Sequence, residues 1–141
     1  MITLLELNTL IAEAKENMEE CRKSRNAALS FGNKPNADRQ QKEGKKWLSK
    51  IEFYTACIAY IETSSAEVIE GQRNMLMPKI STIEQRVFND LWSRMPTDEW
   101  GRKPKPDLKN PVTKKQYDEL SKPYHLPVLK KQLRTLNFIL K

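Results

Sequence analysis

Apolar residues recur in steps of three and four from Leu4 through Leu7, Ile11, Ala14, Met18 and Cys21, and no other feature restricts the fold of this chain so much. That spacing sets every member on one stripe of an α-helix, whereas a strand would need steps of two. Glu13, Lys15, Glu16, Glu19, Glu20, Arg22 and Lys23 fill the other faces, as the solvent side of an amphipathic helix requires. Thr3 followed by Glu6 is spaced as a capping box, in which hydroxyl and carboxylate each satisfy a free backbone donor. Leu29, Phe31 and Gly32 close the segment, glycine being the residue that most easily turns left-handed past a helix end.

A second stripe answers the first. Asn33-Lys34-Pro35-Asn36 reads as a tight connection with Asn36 as the next N-cap and Asp38 near the positive end of the helix dipole. Trp47, Ile51, Tyr54, Ile58, Ile61, Ser65 and Val68 follow at the same spacing, widened by Leu48, Ala56 and Ile69, and Gly71 is expected to end the helix. Two long helices with matching stripes and a short loop form an antiparallel hairpin, coiled-coil-like, over residues 1–71, because neither hides its stripe alone.

Beyond it, Met75, Leu76 and Met77 before Pro78 read as an apolar connection, and Ser81 with Glu84 as a second capping box. A third helix over 80–95 carries Ile83, Val87, Leu91 and Met95, flanked by Phe88 and Trp92, and stops at Pro96. Residues 96–112 hold five prolines or glycines among Arg102, Lys103, Lys105 and Lys109, the composition of an extended, exposed basic loop. In 113–141, Thr113 with Gln116 caps a short helix bearing Tyr117 and Leu120, and Pro127 opens a terminal helix with Leu129, Leu133, Leu136 and Leu140 on one face. The expected fold is all-α, and 141 residues suit one domain. Only four glycines argue against a sandwich or barrel, which needs many turns.

The most apolar run, Phe53 to Ile61, is bounded by Glu52 and Glu62 and is far short of a membrane span. Glu6, Asn8 and Glu13 interrupt any secretory signal, so the expected location is the cytoplasm of a bacterial host. Cys21 and Cys57 are too few for a disulfide framework or a zinc site and suit small core residues. His125 has no second histidine or nearby cysteine with which to share a metal. No base stands near a nucleophile and no glycine-rich phosphate loop is present, while Glu19-Glu20, Asp98-Glu99 and Asp118-Glu119 are adjacent pairs, and neighbours on a helix point to different faces. The expectation is a protein that is not an enzyme and uses no cofactor or metal.

Charge is unevenly placed. Residues 1–71 hold ten Lys or Arg against eleven Asp or Glu, and residues 72–141 hold fifteen against seven, so the net +7 belongs to the C-terminal half. A concentrated positive region attracts phosphate backbones or acidic protein surfaces. Trp100 beside Arg102, Lys103 and Lys105 offers a ring for base stacking or for a protein pocket, unless it folds back on the core. Lys109, Lys114, Lys115, Lys130, Lys131 and Arg134 extend the basic candidates into the C-terminal helices.

Lys45-Lys46-Trp47-Leu48 leading into Ile51, Tyr54, Ile58 and Ile61 resembles the helical cores of small anti-defence proteins of phages and mobile elements, type II anti-CRISPR proteins in particular. The likeness is one of profile over about residues 1–71, carries no diagnostic motif, and transfers no individual site residue. It implies a stoichiometric inhibitor of guide-loaded Cas9, with the basic half available to guide RNA or acidic patches of the nuclease. Read from the residues alone, two alternatives stand beside it: non-specific binding of nucleic-acid backbone, and an assembly protein that dimerises through the hairpin.

Overall fold

The computed structural model describes all 141 residues, Met1–Lys141, and is all-α: α1 (Leu4–Ser30), α2 (Lys34–Thr63), α3 (Ala66–Ser93), α4 (Pro111–Ser121) and α5 (Leu126–Leu140), with a 3-10 turn at Lys122–Tyr124. Contacts gather into two compact units, Met1–Ile69 with Thr135–Lys141, and Glu70–Arg134.

The first unit is the hairpin. The Thr3 capping box is formed, the Glu6 backbone N–H donating to Thr3 Oγ1 at 3.2 Å and Glu6 Oε2 accepting from the Thr3 backbone N–H at 2.7 Å. Those bonds hold the Glu6 carboxyl below its ordinary pKa. Gly32, at φ 71, ends α1 as expected. The N-cap of α2 is Asn33 and not Asn36: Asn33 Oδ1 accepts from the Asn36 N–H at 3.3 Å, with Pro35 in the first turn, where its missing N–H costs nothing. The three-residue connection leaves α1 and α2 closely packed and antiparallel.

Leu7 and Ile69 are fully buried in this unit, and the small residues of the seam are as deep or nearly so. Ala14, Ala37 and Cys57 are 1% exposed or less, and a Cβ on Gly44 would stand only 3.8 Å from Cys21 Cβ, so the two backbones approach closely there. Ile11, Met18, Ile51, Tyr54 and Ile58 are half-buried along its flanks. The last turn of α5 finishes the unit: Phe138 packs on Phe53 and Tyr54, with ring centroids 5.2 and 5.8 Å away, and Ile139 is fully buried and accepts at its carbonyl from the Ile2 N–H at 2.9 Å.

Burial pushes the Cys57 thiol up to about 11. A disulfide reagent at pH 8 should therefore label the half-buried Cys21 and reach Cys57 only when the hairpin opens, which a colorimetric thiol count with and without denaturant would check. The sign for stability follows. From about pH 9, the ordinary value for an unfolded thiol, to about 11, only the unfolded chain gives up the proton, so stability falls as pH rises through that window.

α2 stops at Thr63, eight residues before the expected end at Gly71. Ser64 is extended at φ −141, ψ 143, and Ser65 Oγ accepts from the Val68 N–H at 3.3 Å, so the expected stripe members Ser65 and Val68 belong to the start of the next helix. α3 then runs through Gly71, the expected connection 75–77 and Pro78 without a break, and the third helix begins at Ala66 in place of residue 80. Ser81 and Glu84 lie inside it and form no capping box. Pro78 is exposed, so water can serve the carbonyl one turn back that loses its donor. Gly71 has open space around its Cβ position, and Gly71→Ala should raise stability by about 1 kcal/mol, read as an upward shift in a urea or thermal titration.

The second unit is built on Ile80, Val87 and Leu91 of α3, Tyr117 of α4 and Leu126 of α5, with Phe88, Leu120, Leu129 and Leu133 packed against them. Asn110, not Thr113, caps α4: Asn110 Oδ1 accepts from the Val112 N–H at 3.0 Å, Pro111 follows at the first helical position, and Thr113 is buried in the helix. α5 starts at Leu126, one residue before Pro127, after His125 turns left-handed at φ 53. No helix in either unit is long and apolar enough to cross a membrane.

Candidate binding surface

All ten basic or aromatic candidates fall in the second unit, where the structure sorts them into three groups. The first is a hydrogen-bonded turn after α3. Asp98 organises it: its Oδ1 accepts from the Trp100 N–H at 2.9 Å and the Arg102 N–H at 2.8 Å, and its backbone N–H donates to the Arg102 carbonyl at 2.7 Å. Gly101, at φ 74, supplies the left-handed residue that the turn needs. Two further bonds tie it to α3, from Trp92 Nε1 to the Lys103 carbonyl at 3.1 Å and from Lys103 Nζ to the Ser93 carbonyl. The turn holds Trp100 79% exposed, so the ring does not fold back on the core. Lys103 is a structural tie, whereas the Arg102 guanidinium is exposed with no carboxylate partner.

The second group lines a groove of about 540 Å³ between α3, α4 and α5, where Lys114, Lys130 and Arg134 converge. Lys114 Nζ lies 3.1 Å from Asp118 Oδ1 and 5.1 Å from the centre of the Tyr117 ring, and Lys130 Nζ lies 3.8 Å from Glu84 Oε2. Arg134 is exposed and has no such partner. Burial, with Glu84 and Asp118 nearby, raises the Tyr117 hydroxyl above its ordinary pKa, so it stays protonated as a donor. A second groove of about 440 Å³ adjoins the first and shares Ile80, Glu84, Tyr117 and Leu133 with it.

The rest are not brought together with these. Lys105 and Lys109 are exposed on the segment before α4, whose Pro106 is buried, and Lys115 lines a separate hollow with Leu91, Arg94 and Glu119. Lys131 is exposed on α5.

Comparison with family models, with characterised proteins and with solved structures gives no match. The surface must therefore be read from its own chemistry. No group of three or more His, Cys, Asp or Glu side chains converges as a metal site would require. From residue 102 to 134 there are ten Lys or Arg against three Asp or Glu, and Arg102, Lys105, Lys109, Lys115 and Arg134 have no carboxylate within 4 Å. The groove residues Glu84 and Tyr117 escaped sequence reasoning. Lys114 and Asp118 were legible as an i,i+4 pair, but Glu84 and Lys130 meet only through the fold.

Proposed function

We propose that this chain acts by stoichiometric binding, occupying a protein or ribonucleoprotein surface, and that its target is a guide-loaded nuclease of the Cas9 kind. The observation that carries the binding reading is the set of five exposed cations without a carboxylate partner, Arg102, Lys105, Lys109, Lys115 and Arg134, together with the exposed Trp100 next to Arg102. Exposed cations of this kind steer encounter with an acidic or phosphate-bearing surface, and a large ring held at a turn is the sort of side chain that dominates an interface. The choice of target rests on the likeness of the 1–71 segment to anti-CRISPR helical cores.

The test is a titration of the full chain into guide-loaded Cas9 with a linear DNA substrate. Cleavage should fall to background near one equivalent, and a complex should survive gel filtration after nuclease treatment. Full cleavage at a tenfold excess would reject the target. Trp100→Ala should weaken the complex at least tenfold without moving the melting temperature, since the ring is in solvent.

Non-specific binding to nucleic-acid backbone is the second reading, favoured by the five unpartnered cations. It predicts that affinity for a 20-nucleotide single strand falls with a log–log salt slope of about −3 to −4 if all five meet phosphates. A slope near zero would remove it.

A further inference from the structure

We infer that the paired grooves of the second unit dock an amphipathic helical segment of a protein partner, one that brings carboxylates to its α5 end; this rests on the reading that the chain works by binding a protein surface. Met77, Glu84 and Phe88 set the length along α3, eleven residues of helix or about 16 Å, which matches three turns of a docked helix. The floor is apolar, made by Ile80, Tyr117 and Leu133, and the exposed side chain of Met77 stands at its edge. A groove of that kind takes apolar side chains spaced i, i+3 or i+4, and i+7.

Charge says what else the occupant carries. At the α5 end Arg134 has no acidic partner, and Lys114 and Lys130 are each held by one exposed ion pair of the weak kind, so an incoming carboxylate recruits them at small cost. Arginine adds a planar fork that suits a carboxylate well. Glu84 stands where the two grooves join, so the occupant's middle must be neutral or basic. A phosphate backbone fits poorly, because no lysine or arginine lines the Met77 and Phe88 half and Glu84 repels it.

The experiment is panning of a phage-displayed library of random 15-residue peptides against the full chain. Synthetic copies of the enriched peptides are then measured by fluorescence anisotropy and by ¹⁵N–¹H spectra. Enriched peptides should share the apolar spacing, carry Asp or Glu at one end only, and shift the signals of Ile80, Phe88 and Leu133. Met77→Asp and Arg134→Glu, both at exposed side chains, should each weaken them at least tenfold, and lysine in place of the peptide's terminal acid should restore binding to Arg134→Glu. No enrichment, a consensus without carboxylates, or shifts mapped away from the groove would overturn the proposal. So would groove signals that move with protein concentration alone, which would seat a second copy there. Peptide binding without inhibition of Cas9 would reject only the choice of target, and inhibition that survives both substitutions would reject only the groove.

Discussion

Leu91→Ala is expected to lower stability by about 2–5 kcal/mol and the melting temperature by on the order of 10 °C. Leu91 is 2% exposed and packs in the cluster that holds Ile80, Val87, Tyr117 and Leu126 together, so truncation leaves a cavity bounded by three helices. Leu5→Ala is the control. That side chain is 77% exposed, and its loss should change stability by no more than about 0.5 kcal/mol. Urea titration followed by circular dichroism at 222 nm measures both. A small loss for Leu91 would mean that the second unit does not depend on this cluster.

Reversing Arg102, Lys105 and Lys109 together to glutamate should cut affinity for an acidic partner about a hundredfold at low salt, mostly through slower association. The three charges are exposed and without carboxylate partners, so the melting temperature should hold while the net charge drops from +7 to +1. At about 0.5 M salt the difference should shrink, because screening then reaches only a few ångströms. Lys103 belongs to a different class. Its ammonium donates to the Ser93 carbonyl, so Lys103→Glu should loosen the turn itself and register in Trp100 backbone mobility. Surface plasmon resonance over a salt series separates the two effects.

Helices were legible where local signals agreed. Thr3, Glu6, the seven-residue rhythm of Leu4 to Cys21 and Gly32 all point to one helix, and α1 occupies the expected span. Legibility failed where signals conflicted. Ser65 falls on the apolar stripe, yet its hydroxyl caps a new helix, while Gly71 and Pro78 look like breakers but lie exposed within α3, where water and tertiary packing offset what they cost. Asn36 and Asn33 are both good caps, and the placement of Pro35 in the first turn decides for Asn33. For the surface, residue type identified the cations correctly as exposed, but which of them converge depends on three helices meeting. Trp100 turned on Asp98, whose side chain closes the turn and so keeps the ring outside.

The hairpin unit takes its final pieces, Phe138 and Ile139, from the far end of the sequence. A ribosome making about 5–20 residues per second therefore delivers α1 and α2 roughly 4 to 15 seconds before Phe138, which covers Phe53 and Tyr54. During that interval the aromatic side of α2 is bare, which makes the nascent hairpin a natural client for a chaperone. Glu70–Arg134, being continuous in sequence, is free of that wait.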